Sequence, residues 1–159
     1  MRCAVLTISD SSFQGLRADA SGPAVRARLL AKGGSVAVME VLPDEKHLIA
    51  ARLLELCASG EVDAVFTTGG TGVALRDVTP EATRQVVERE VPGLAEKMRA
   101  DGSRITPLAA LSRGLAGVRG RVLIVNLPGS PKGAVESLDA ILDLVPHIIQ
   151  LLHGKTDHS

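Results

Sequence analysis

Two aspartates, Asp44 and Asp77, the neighbouring Arg76 and the run Thr67-Thr68-Gly69-Gly70-Thr71-Gly72 are the residues here best suited to chemistry. The glycine run leaves a short apolar stretch, Ala64-Val65-Phe66, and leads through Arg76-Asp77-Val78 to Thr79-Pro80-Glu81. That tripeptide reads as a helix start, with Thr79 as cap, Pro80 at the first helical position and Glu81 in the first turn. Backbone with so little side-chain bulk can curl tightly and bring N–H groups against a phosphate or a flat heterocycle. The run is not a Walker loop, since no Gly-Lys-Ser/Thr ending follows, and its glycines lack the dinucleotide spacing. Glycines alone would also serve a tight strand-to-helix turn; the charged pair beside them favours a site.

The elements that must position these residues alternate between strand and helix. Strands are expected over Cys3–Ile8, Val36–Leu42 and Ala64–Thr67, and helices over Pro23–Lys32 and from Pro43-Asp44-Glu45 to Ser59-Gly60. Further helical stretches follow at Thr83–Arg89, from Pro92 towards Met98 and around Leu108–Leu111. Leu115–Val118 and Val122–Leu127 flank Arg119-Gly120 as an antiparallel hairpin. A last helix follows Pro131, with a kink expected at Pro146. The pattern is α/β: a three-layer sandwich with a mostly parallel central sheet and a small antiparallel hairpin extension. One domain over residues 1–159 is expected, with a flexible tail from about 154 to 159.

A mostly parallel sheet gathers its ligand site beyond the carboxyl ends of its strands. Ser9-Asp10-Ser11, Asp44, the glycine run with Asp77, and Asn126-Leu127-Pro128-Gly129-Ser130-Pro131-Lys132-Gly133 all leave those ends. Singly, Asp44 reads as a helix N-cap, as do Ser9 and Ser130. Their convergence on one edge points to a binding site.

Composition excludes several classes. Hydrophobic residues make up 45% of the chain and aromatic ones 1%, so the core is built from Val, Leu, Ile and Ala. Zero formal net charge and the lack of base-stacking residues argue against nucleic acid. Cys3 and Cys57 read as reduced core residues, and the four histidines lack metal-ligand spacing. The N-terminal apolar run is too short for a signal peptide or membrane span, which gives a cytoplasmic expectation.

Thr68–Thr83, Asn126–Gly133, Ser9-Asp10 and Ser21-Gly22 together resemble the molybdopterin-binding domain family, closest to its adenylyltransferases. The resemblance spans nearly the whole chain in order and spacing. It implies Mg²⁺-dependent adenylylation of molybdopterin by ATP in molybdenum cofactor biosynthesis, releasing pyrophosphate. It also implies a homotrimer, and a handover of product to the metal-insertion enzyme of the pathway. On this reading Asp44 and Asp77 are the catalytic residues, as Mg²⁺ ligands or as orienters of the reacting phosphates. Gly69, Gly70, Thr71, Gly72, Ser9, Asp10 and Arg76 contact nucleotide or phosphate. Asn126, Pro128, Gly129, Ser130 and Lys132 line the pterin side. Arg76 either stabilises phosphate charge or pairs with Asp77 or a surface carboxylate, and Lys132 alone also reads as a solvated helix-start lysine. Val73-Ala74-Leu75 departs from the family pattern before the arginine. The alternative function is a non-catalytic or weakly active molybdopterin-binding relative, acting as carrier or trimeric scaffold.

Overall fold

The computed structural model describes residues 1–155. Its strands are β1 (Arg2–Ile8), β2 (Ser35–Leu42), β3 (Ala64–Thr68), β4 (Arg89–Glu90), β5 (Ala116–Arg119) and β6 (Val122–Leu127). They form one sheet in the order β2-β1-β3-β6-β5-β4. The pairs β1–β2, β1–β3 and β3–β6 are parallel, whereas β5–β6 and β4–β5 are antiparallel. The hairpin expected around Arg119-Gly120 is therefore present, and the short β4 extends it.

Helices α1 (Asp10–Phe13), α2 (Ser21–Ala31), α3 (Lys46–Ala58), α4 (Thr79–Val86), α5 (Pro92–Ser103), α6 (Pro131–Ile141) and α7 (Val145–Leu152) complete the fold. Alternation along each strand splits the core in two. Cys3, Val5, Phe66, Leu123 and Val125 face one layer, packed with Val25 and Leu29 of α2, Met98 of α5 and Leu138 of α6. Ala4, Leu6, Val65 and Ile124 face the other, against Ile49 and Leu53 of α3 and Ala82 and Val86 of α4. The sandwich thus has three layers. Among the described residues no helix is long and apolar enough to cross a membrane. Burial pushes the Cys3 thiol up to about 12 and the Cys57 thiol up to about 11, which leaves both protonated at neutral pH.

Ser9 is a helix cap as expected, that of α1, its hydroxyl accepting from Ser12 N. Several other local expectations need correction. Glu45, not Asp44, occupies the N-cap position of α3, and Val78, not Thr79, that of α4. Thr79 instead donates its hydroxyl hydrogen to Gly69 O at 3.0 Å. The stretch after Thr106 is a 3-10 turn, Pro107–Leu111. The last helix does not kink at Pro146: a 3-10 turn, Leu142–Leu144, separates α6 from α7, and Pro146 sits in the first turn of α7, where its missing N–H costs nothing. Of the expected flexible tail, Gly154 and Lys155 cap α7 by bonding Leu151 O and Gln150 O; residues 156–159 lie outside the described residues.

Candidate functional site

β1, β2, β3 and β6 run parallel, so the loops following them share one edge of the sheet. The glycine loop after β3 is seated first. Gly69 N donates to Leu127 O at 3.0 Å, and the Thr68 hydroxyl donates to Pro128 O at 2.6 Å, tying the loop to the segment after β6. Gly69 has φ +103 and Gly70 φ +67, and a Cβ on Gly69 would collide with Ile8 O. A side chain here would meet both the disfavoured left-handed region and a neighbouring strand. Gly129 packs against the same point, since a Cβ on it would lie 3.2 Å from the Gly69 Cα.

Beyond Gly69 the loop's carbonyls and N–H groups part company. Gly70 O accepts from Thr79 N, and Thr71 O from Arg113 N at 2.8 Å. The Arg113 guanidinium donates to Gly72 O at 2.7 Å and to Asp77 O at 2.8 Å, and binds Glu81 through two nitrogens. Among the described residues, the N–H groups of Gly70, Thr71, Gly72 and Val73 donate to no protein acceptor. Among the described residues the Thr71 hydroxyl likewise has no protein partner. Successive unpaired N–H groups in a loop of this kind form an anion-binding concavity.

Asp44 and Asp77 flank this backbone. A Cβ on Gly70 would lie 3.0 Å from Asp44 Oδ1, and one on Gly72 would lie 2.8 Å from Asp77 Oδ2. Asp77 Oδ2 also accepts from Ala74 N at 3.0 Å. Asp44 and Asp10 hold one another: Asp10 N donates to Asp44 Oδ2 and Asp44 N to Asp10 Oδ1, both at 2.9 Å. Arg76 pairs with Asp10 at 2.6 Å and with Glu45 at 3.0 Å, and also donates to Asp44 O. It pairs with carboxylates across the site, and not with Asp77. Arg76 holds the Asp10 carboxyl below the usual carboxylate range. Burial, with the like charges of Asp10 and Asp77, pushes the Asp44 carboxyl up.

Two clefts meet at the loop. The larger, about 470 Å³, is lined by Thr71, Gly72, Asn126 and Pro128 on one side and by Met98, Leu108 and Leu111 on another. The second, about 440 Å³, is lined by Ser9, Ser12, Arg17, Asp19, Asp44 and Gly69 among others. Gly70, Asp77, Gly129 and Ser130 line both. The arrangement can hold two ligands side by side with a carboxylate and free N–H groups between them.

Some expected site residues have other duties. Gly69 contributes shape, its N–H being spent on Leu127. Asn126 is 1% exposed, and its amide is used up internally: Nδ2 donates to the Thr67 and Thr83 hydroxyls and Oδ1 accepts from Leu115 N. Ser130 caps α6, its hydroxyl accepting from Gly133 N. Lys132 lines neither cleft; its side chain is 82% exposed, 3.8 Å from Glu136. Asp10 and Arg76 also stand outside both linings. Sequence reasoning did not reach Arg113, Asp19 or the apolar wall. Asp19 is announced only by Gly22 three residues on, whose N–H it accepts. Arg113 lies 41 residues from Gly72, and no local pattern joins them.

Among the described residues no three His, Cys, Asp or Glu are grouped to hold a metal. Asp44 and Asp77 both line the second cleft, and Asp77 repels charge on Asp44, so this donor set suits a divalent ion of the kind bound through one or two carboxylates plus phosphates.

Residues 4–147 match the family described as "Probable molybdopterin binding domain". The molybdopterin adenylyltransferase of Helicobacter pylori is 41% identical, across 95% of this chain and 87% of its own. That of Escherichia coli is 38% identical, across 97% and 86%. The solved molybdopterin biosynthesis enzyme MoaB of Thermus thermophilus superimposes with a TM-score of 0.91 at 53% identity, covering 97% of each chain.

Proposed function

From the premise that the chain belongs to the molybdopterin-binding domain family, we propose that it is a molybdopterin adenylyltransferase of molybdenum cofactor biosynthesis. The observation that carries this is the meeting of two clefts at Asp77 and Gly70, with Asp44 and the unpaired N–H groups of Gly70, Thr71 and Gly72 beside it. Joining two polyanions demands such a place, where both are held in line and their charge is offset.

The terminal phosphate of molybdopterin attacks the α-phosphorus of ATP. A new P–O bond forms, the bond to the bridging oxygen of the β-phosphate breaks, and pyrophosphate leaves with the electron pair. The protein supplies alignment; no covalent intermediate is required. The N–H groups of Gly70, Thr71, Gly72 and Val73 bind phosphate oxygens. Nucleotide occupies the polar cleft bordered by Ser9 and Arg17, and pterin the cleft walled by Met98, Leu108 and Leu111. Asp44 and Asp77 would hold Mg²⁺, which when bound neutralises charge on the reacting phosphates. Arg76 keeps Asp10 and Asp44 in register. The same reading makes the protein a cytoplasmic homotrimer that passes its product to the metal-insertion enzyme; sedimentation of the purified protein tests the trimer.

The deciding assay supplies molybdopterin, ATP and Mg²⁺ and follows adenylylated pterin by mass and pyrophosphate release, with Asp77→Asn alongside. Product from the wild type and a loss of about 100-fold or more in the variant are expected, the scale of losing one preorganised electrostatic group. Pterin binding without product in the wild type would reassign the chain as a carrier.

A further inference from the structure

We infer that Arg113 is a positioning residue that turns the N–H groups of the glycine loop towards the ligand. The inference rests on the reading of that loop as a phosphate-binding element. Across a trans peptide the carbonyl and the following N–H point in opposite directions. Arg113 draws two successive carbonyls to itself, Thr71 O through its backbone N–H at 2.8 Å and Gly72 O through its guanidinium at 2.7 Å. The N–H groups of Gly72 and Val73, in the same two peptide planes, must then face away from Arg113. They are among those that donate to no acceptor of the described residues.

The guanidinium also accounts for the far end of the loop. It donates to Asp77 O at 2.8 Å, fixing the backbone that carries the Asp77 carboxylate into both clefts. Glu81, in the first turn of α4, braces Arg113 through contacts of 2.7 and 3.1 Å. The pairing holds the Glu81 carboxyl below its usual range. One side chain therefore ties Gly72 to Asp77 in a loop that contains three glycines between residues 69 and 72 and has little stiffness of its own. A fork with several fixed donors suits three acceptors at once, which a lysine cannot match.

The test uses the full chain, with pyrophosphate and ATP as probes. Arg113→Met keeps the stem and removes the fork; Arg113→Lys restores part of it. Titration calorimetry should show affinity falling about tenfold or more in Arg113→Met, with partial recovery in Arg113→Lys. Amide resonances of Gly72 and Val73 should shift with pyrophosphate in the wild type and not in Arg113→Met. If Arg113→Met does not fold, Arg113→Lys and Glu81→Gln carry the test, each expected to weaken binding severalfold. Variants that fold and bind as the wild type does overturn the positioning role alone. A wild type whose loop amides ignore pyrophosphate overturns the phosphate-binding reading with it.

Discussion

Asn126→Leu separates a structural from a ligand-binding role at the end of β6. The Asn126 amide satisfies three buried groups: the Thr67 hydroxyl at 3.0 Å, the Thr83 hydroxyl at 2.9 Å and Leu115 N at 3.2 Å. Leucine has a similar branched shape and no polar atom, so all three lose their partner at once. Stranding a buried polar group costs about 1–3 kcal/mol, and the two hydroxyls can rotate in search of other acceptors, so a net loss of about 3 kcal/mol is expected. With a urea dependence of about 2 kcal/mol per molar, the unfolding midpoint falls by about 1.5 M. Asn126→Asp supplies a second reading. A carboxylate can accept from Leu115 N and from both hydroxyls once they turn, but burial raises its pKa. The native state of that variant then holds its proton more tightly than the unfolded state, so its stability falls as pH rises above the ordinary aspartate range. Urea titrations at pH 5 and pH 8 measure both effects. An Asn126→Leu protein with an unchanged midpoint and only a raised KM for the pterin would refute this account and return Asn126 to the ligand.

Gly69→Ala meets both a φ of +103 and Ile8 O, and should cost about 3 kcal/mol or more; Gly120→Ala, at φ +57 with open space around it, should cost about 1 kcal/mol. Equal losses in thermal unfolding would show that β1 does not press on the loop. Asp44→Asn should raise the urea midpoint at pH 7 while abolishing adenylyl transfer, because it removes a half-buried charge held beside Asp10 and Asp77. A lowered midpoint would mean that the contact with Asp10 outweighs burial. Arg76 and Arg113 hold Asp10 and Glu81 below the usual carboxylate range, and Arg2 does so for Asp63 against the opposing effect of its burial. Depressed folded pKa values stabilise above the ordinary carboxylate range, so stability should fall as pH drops below about 4, and less steeply in Asp63→Asn. Acid titration by circular dichroism reads that difference.

The α/β alternation, the hairpin and the gathering of Ser9, Asp44, Asp77 and Gly129 at one sheet edge are legible in the order of residues. Those features follow from local rules: apolar runs of strand length, glycine and proline punctuation, and the geometry of parallel strands. Tertiary structure alone decided what each polar group does once it arrives. Asp44 has the type and place of a helix cap, yet its carboxylate accepts from Asp10 N, 34 residues away in the chain. Arg76 stands beside Asp77 in sequence and pairs with Asp10 and Glu45 instead. Asn126 has the position of a ligand contact and closes a buried network between β3, α4 and Leu115, the residue before β5. Arg113 offered no local sign of its grip on the glycine loop. Hydrogen-bond partners are chosen by distance in space and by the cost of leaving a buried group unpaired. Neither quantity exists until the strands have been laid side by side.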